Sequence, residues 1–295
     1  MPELPDVVVY VERLNALLAG RRLDEVRLLS PFVLRTVDPP ATAAAGRTLR
    51  GARRLGKRVV LALDGGLFVV IHLMIAGRLR LRPAAARPHR TQVLAVFRFG
   101  PDALWLTEAS TRRRASVHVV AGEAALAALD PGGLDVLTAS PEAFTAALRR
   151  ERHTVKRALT DATLFDGIGN AYSDEILHLA RLSPTARTDR LSDEEVARLH
   201  AAARETLAGW IDRLREETGA GFPEKVTAFR DGMRVHGRFR KPCPVCGAAI
   251  QRIVWAENEM NYCPVCQTGG KVLSDRVLAR MLGRDWSGWG LREDG

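Results

Sequence analysis

Cys243, Cys246, Cys263 and Cys266 are the chain's four cysteines, and they form two Cys-Pro-Val-Cys knuckles separated by sixteen residues. That spacing sets four thiolates around one tetrahedral Zn2+ on a β-ribbon. With all four positions filled the metal has no open site, so it is structural and not catalytic. Cysteines gathered in this way suit a metal site in a reducing compartment better than a disulfide framework. Arg234, Arg238, Arg240, Lys241 and Arg252 flank the knuckles. The ribbon is therefore either a hairpin laid on a polyanion or a purely stabilising clip.

Two further segments carry chemistry. In Gly167-Ile168-Gly169-Asn170, followed by Ala171 to Leu177, glycines precede a helix. Backbone N–H groups at such a turn can meet a phosphate, with the Asn170 amide as an added donor. Lys156 and Arg157 upstream would add phosphate contacts. A plain turn and helix cap is the other reading. At the N-terminus stands Met1-Pro2-Glu3-Leu4-Pro5. Removal of the methionine would expose the secondary amine of Pro2. An α-amine ordinarily titrates at about pH 8, so a useful fraction is neutral near pH 7. Attack by it on a deoxyribose C1′ gives an iminium that is cationic without protonation, an electron sink for loss of the 3′ phosphate. Glu3 would shuttle protons to the sugar. A Met-Pro start is common in proteins at large, so this segment alone decides little.

A formal net charge of +10 and a sequence pI near 10.2 favour a polyanionic partner, nucleic acid ahead of an anionic membrane surface. A 46% hydrophobic composition supports a folded chain and excludes disorder as the default. There is no apolar run of membrane-spanning length and no export signal, so a soluble, cytoplasmic protein is expected. Lysine is scarce beside arginine, so each of Lys57, Lys156, Lys225, Lys241 and Lys271 is a candidate for a proton-transfer role that arginine cannot perform.

The elements that must position these residues are legible in outline. Val7, Val8, Val11, Leu14, Leu17 and Leu18 before Gly20 predict one amphipathic helix. Short β-rich runs follow at 59–63, 67–73, 79–81, 93–99 and 117–120, the spacing of an antiparallel sandwich or barrel. Asp130-Pro131-Gly132-Gly133 reads as a linker. Beyond it Ser140-Pro141 opens a helix, and Ser192 with Glu195 makes a capping box beside a Leu191–Val196 staple for a helix running to about Glu217. A last helix is expected from Ser274 to Leu282.

Taken in order, Met1-Pro2-Glu3-Leu4-Pro5, Leu55-Gly56-Lys57, His72-Leu73, the run from Gly167 to Leu177 and the four-cysteine finger closely resemble the formamidopyrimidine-DNA glycosylase and endonuclease VIII family. The resemblance runs from residue 1 to about Gln267. It implies an α+β multidomain fold: an N-terminal antiparallel β-sandwich with flanking helices over 1–130, a helix-two-turn-helix domain over 131–232, a β-ribbon zinc finger over 233–267 and a tail over 268–295. It further implies damaged or abasic duplex DNA in a cleft, a flipped base, Pro2 and Glu3 in catalysis, and Lys57 on a DNA phosphate while aiding the reaction.

Three places depart from the family pattern. Where the family has a void-filling methionine, this chain reads His72-Leu73-Met74-Ile75-Ala76-Gly77, which puts Ile75 at that position and leaves Met74 aimed elsewhere on a strand. Arg113 and Arg114 match the family's arginines for the orphaned base, yet Ala115 stands where a phenylalanine wedge is usual. Near the finger tip Asn258 replaces an arginine, between Glu257 and Glu259, so the second elimination should be weaker. The expected function is a bifunctional glycosylase and abasic-site lyase of base excision repair, monomeric and nucleoid-associated. A lyase specialised for abasic sites or for lesions such as crosslinks, and a non-catalytic damage-binding protein, are the alternatives.

Overall fold

A computed structural model describes residues 1–89, 91–255 and 258–273, with only the backbone of Trp255 and Asn258 described. The helix expected at 274–282 lies outside the described residues. The chain divides into two compact units: Met1–Leu137 with Leu207–Ala228, and Thr138–Thr206 with Phe229–Gly295.

In the first unit, helix α1 (Leu4–Leu18) opens on a reciprocal capping box. The Glu3 carboxylate accepts from the Asp6 amide, and the Glu3 amide donates 2.9 Å to Asp6 Oδ2. Two orphan donors of the first turn are satisfied in this way, and two acidic groups sit at the positive helix end. The buried face of α1 (Val7, Tyr10, Leu14, Leu18) joins the main hydrophobic core.

Two antiparallel four-stranded sheets make that core a sandwich. One has the order β1 (Glu25–Leu28), β6 (Val93–Phe99), β7 (Asp102–Glu108), β5 (Gly77–Pro83). The other has the order β2 (Leu49–Leu55), β3 (Arg58–Leu63), β4 (Leu67–His72), β8 (Ser116–Ala121). Strand β4 is apolar from Leu67 to Ile71 because both of its faces are covered. Leu67, Val69 and Ile71 join the inter-sheet core, while Phe68 and Val70 meet Val60, Val120 and Leu126 on the far side. Leu126 comes from the short helix α2 (Glu123–Ala127).

Two turns matter for function. Leu55 pairs directly with Arg58, so Gly56-Lys57 is a two-residue hairpin loop, and Gly56 supplies the positive φ (62°) such a loop needs at its first position. Between β4 and β5 the chain turns through Met74-Ile75-Ala76 and closes with the Gly77 amide donating 2.9 Å to Leu73 O. A Cβ on Gly77 would sit 2.2 Å from that carbonyl oxygen, so no other residue fits without moving the backbone.

The second unit contains α3 (Pro141–Arg149), α4 (Val155–Thr160), α5 (Asn170–Leu179) and the start of α6 (Asp193–Thr218). Ser140 caps α3 by accepting from the Ala143 amide, and the expected box at α6 is present, with Ser192 N to Glu195 Oε2 at 2.9 Å. Phe144 packs at a tilt against Phe165 and stacks on His200, at 4.8 and 4.7 Å between centroids. The finger follows as β9 (Gln251–Trp255), β10 (Asn258–Tyr262) and α7 (Pro264–Thr268). Among the described residues, no helix is long and apolar enough to cross a membrane.

Candidate active site and zinc centre

Pro2 and Glu3 are buried at the head of α1. The chain's amine at Met1 is held below its ordinary pKa, first by burial and also by the charges of Arg78 and Lys57, against the opposing pull of Glu3 and Asp6. The start of the chain is thus ringed by Glu3, Asp6, Arg78 and Lys57. Lys57 reaches this place from the β2–β3 hairpin loop. Arg78 is fixed by donating to Val226 O at 2.5 Å and to Gly77 O at 2.7 Å. Sequence reasoning missed Arg78; its position directly after the turn glycine was the available signal. Asp6 is the partner that fixes the Glu3 backbone.

His72 ends β4 opposite Arg58 and Ser116. Burial lowers its pKa to about 4, helped by the charges of Arg58, Lys57 and His118. The unfolded side chain titrates near 6.5, so between these values the unfolded state binds more protons. Stability from this group is complete above about pH 6.5 and is lost as pH falls toward 4. Denaturant melts at pH 7.5, 5.5 and 4.5 should therefore show a smaller acid loss for His72→Gln than for the parent chain. Equal losses would contradict the assignment.

The expected strand geometry at Met74 is corrected by the structure. Met74 lies in the turn with φ 53°, a left-handed conformation that takes it off any strand alternation, while Ile75 at the tip is 50% exposed. Arg113 and Arg114 lie in the β7–β8 loop, both exposed, with Arg113 Nη2 donating 2.9 Å to Thr91 O. The loop is pinned by the buried Glu108 carboxylate, which accepts from the amides of Arg114 and Ala115 at 3.0–3.1 Å. Ala115 itself is buried, so it adds no wedge to the loop surface.

In the second unit Gly167 (φ 76°) and Gly169 lead into α5, with half-buried Asn170 as its first residue. Lys156 does not stand beside this turn as a phosphate ligand. Its ammonium is buried and donates to Asn170 O (3.1 Å), Ser173 Oγ (2.9 Å) and Asp174 Oδ1 (2.5 Å), which uses all three protons. The expectation of a phosphate contact from Lys156 fails for that reason; the residue instead ties α4 to the first turn of α5. Asp174 Oδ2 in turn accepts from His236 Nδ1 (2.8 Å) and the Asn261 amide (3.1 Å). Glu175 accepts from the amides of Arg234, Val235 and His236, so α5 holds both the approach to the finger and its strand β10. The Asn258 side chain lies outside what is described.

The four cysteines gather as the spacing requires. Cys243 Sγ lies 3.9 Å from Cys266 Sγ, and Cys246 Sγ lies 3.4 Å from Cys263 Sγ. In tetrahedral zinc with Zn–S near 2.3 Å, sulfurs stand roughly 3.8 Å apart. The donor set therefore fits zinc, and the separations are far too long for a disulfide.

The Formamidopyrimidine-DNA glycosylase N-terminal domain matches residues 1–117, the Formamidopyrimidine-DNA glycosylase H2TH domain matches 133–219, and the Zinc finger found in FPG and IleRS matches 240–269. The chain belongs to the formamidopyrimidine-DNA glycosylase family. A formamidopyrimidine-DNA glycosylase of Salinispora tropica is 37% identical over 284 residues, covering 90% of this chain and 96% of that protein. A formamidopyrimidine-DNA glycosylase-like protein of Mycobacterium tuberculosis is 41% identical over 155 residues, 52% of this chain and 94% of its own length. Among solved structures, Lactococcus lactis FPG in complex with Fapy-dG-containing DNA superposes with TM-score 0.80 at 25% identity, covering 90% of this chain and 100% of that one. Family membership accounts for the sandwich, the helix-two-turn-helix segment and the zinc finger, whose metal is structural.

Proposed function

We propose that this family member is a bifunctional DNA glycosylase and abasic-site lyase of base excision repair that works through Pro2. The observation that carries the reading is the buried Pro2-Glu3 start, fixed by the capping box on α1 and ringed by Lys57, Arg78 and Asp6. A Pro2 amine freed by loss of Met1 is a secondary α-amine whose ordinary pKa of about 8 leaves a useful fraction neutral and nucleophilic at pH 7.

Its nitrogen bonds to the deoxyribose C1′ as the damaged base departs, with Glu3 delivering a proton toward the ring oxygen. Opening of the ring leaves an iminium between Pro2 and C1′. Loss of a C2′ proton then sends electrons into the iminium and expels the 3′ phosphate. Lys57 holds a phosphate beside the sugar. The exposed Arg113 and Arg114, with Ile75 at its turn tip, face the duplex, and Asn170 with the α5 N-terminus binds a further phosphate.

Incubation with duplexes bearing oxidised purines, oxidised pyrimidines or an abasic site, followed by product analysis, tests the reading. Base loss coupled to strand cleavage supports it. A favoured second reading is a lyase centred on abasic sites, because buried Ala115 offers no wedge for stabilising a flipped base. Cleavage of the abasic duplex alone would select that one. Binding without any cleavage would overturn both.

Duplex DNA is the partner, met as a monomer, with a nucleoid-associated location inside the cell. The N-terminal segment 1–130 supplies the chemistry, 131–232 and the finger at 233–267 supply the grip, and 268–295 is a tail. Because α5 is bonded to the finger through Asp174 and Glu175, removing zinc should weaken DNA binding as well as loosen the finger. A chelator titration followed by DNA affinity at fixed salt should show at least about a tenfold loss. Unchanged affinity after zinc loss would make the finger only a clip.

A further inference from the structure

Five donor atoms gather at the zinc centre. His178, on α5 and one residue past the run that the sequence motif covers, points its Nε2 to within 3.3 Å of Cys243 Sγ. A ring nitrogen of His178 and the sulfurs of Cys243, Cys263 and Cys266 all lie within 4.8 Å of one another. With Zn–N near 2.0–2.1 Å and Zn–S near 2.3 Å, tetrahedral ligand atoms stand roughly 3.5–3.8 Å apart, so a shift on the order of an ångström closes a Cys3His shell. Burial separates the donors. Cys243, Cys263 and His178 are buried and Cys266 is half-buried, whereas Cys246 is exposed. The other ring nitrogen, His178 Nδ1, is buried with no hydrogen-bond partner among the described residues. Nothing at Nδ1 therefore fixes the tautomer, and the ring is not committed to a role other than facing the cysteines.

We propose that His178 is a reserve zinc ligand: when Cys246 is lost to the metal, His178 Nε2 completes the shell with Cys243, Cys263 and Cys266. With Cys246 bound, Nε2 carries a proton and donates it toward the Cys243 sulfur. To bind zinc, Nε2 releases that proton and Nδ1 takes one up, so the ring stays neutral. The Nδ1–H is then buried without an acceptor, which makes the reserve shell weaker than the four-thiolate one. The exposed thiolate is the one most open to alkylation, and the reserve ligand keeps the finger metallated after such damage.

The full-length chain carrying Cys246→Ala, His178→Gln or both is loaded with Co2+ and Zn2+, and metal stoichiometry, affinity and the visible cobalt spectrum are read. Cys246→Ala should keep one metal per chain, tetrahedral, with weaker thiolate-to-cobalt absorption and ligand-field bands moved to shorter wavelength. Affinity should fall about tenfold to a hundredfold for Cys246→Ala, and by at least as much again for the double variant. His178→Gln alone should keep the four-thiolate spectrum. Equal spectra and affinities for Cys246→Ala and the double variant would overturn the proposal, since water would then be the fourth ligand. A second route avoids mutation. The wild-type chain is loaded with 113Cd and labelled with 15N-histidine, and Cys246 is then alkylated. Cadmium–nitrogen coupling to His178 appearing after alkylation supports the assignment, and its absence refutes it.

Discussion

Replacing Glu3 by glutamine should slow excision of a damaged base by about 10²–10⁴-fold, the range that a positioned proton donor supplies. The fold should barely change. The glutamine carbonyl still accepts from the Asp6 amide, and the Glu3 backbone bond to Asp6 is untouched. Only the charge at the helix end is lost, which costs at most about 1 kcal/mol. Cleavage of a preformed abasic site should suffer less, because that sugar opens to an aldehyde without a departing base. Single-turnover rates on a lesion duplex and an abasic duplex, beside a thermal melt, make the comparison. Unchanged excision by a well-folded Glu3→Gln chain would remove Glu3 from the mechanism.

The largest stability effect is expected at Asp174. Its two oxygens serve Lys156, His236 and the Asn261 amide, and its side chain is fully buried, with that of Lys156 5% exposed. Asp174→Ala strands a buried ammonium, a loss on the order of 3–5 kcal/mol. Adding Lys156→Met should restore much of that, because removing both partners of a buried pair is far cheaper than removing one. Denaturant unfolding of the single and double variants checks the sign of the coupling. Additive losses would mean that the pair is not the organising contact. The same single variant should also release zinc more readily, since Asp174 holds strand β10 through Asn261.

The amphipathic helix at the start, most strands of the sandwich and the capping box at Ser192 were legible because each rests on a local pattern. Strands β2 (Leu-Arg-Gly-Ala-Arg-Arg-Leu), β1 and β7 were not. The first carries three arginines, and Arg53 and Arg54 reach out to Glu123 and Asp135, so its apolar content is too thin to announce a strand. In the candidate site, Pro2, Glu3 and the cysteines are readable because their chemistry is tied to chain position or spacing. Arg78, Glu108 and His178 act through contacts with residues distant in sequence or across a turn, and no spacing rule connects them. Lys156 shows the opposite failure. A lysine upstream of a glycine turn that leads into a helix reads as a phosphate ligand until a buried aspartate is found to have claimed it.

If Pro2 is the nucleophile, its nitrogen forms a covalent bond to the sugar. The most direct measurement of that bond is borohydride reduction of the protein with an abasic duplex, followed by mass mapping of the adduct. One reduced adduct per chain is expected at residue 2, and none when an N-terminal extension blocks that nitrogen. An adduct mapped to Lys57 or another lysine, or trapping that survives the block, would contradict that role for Pro2.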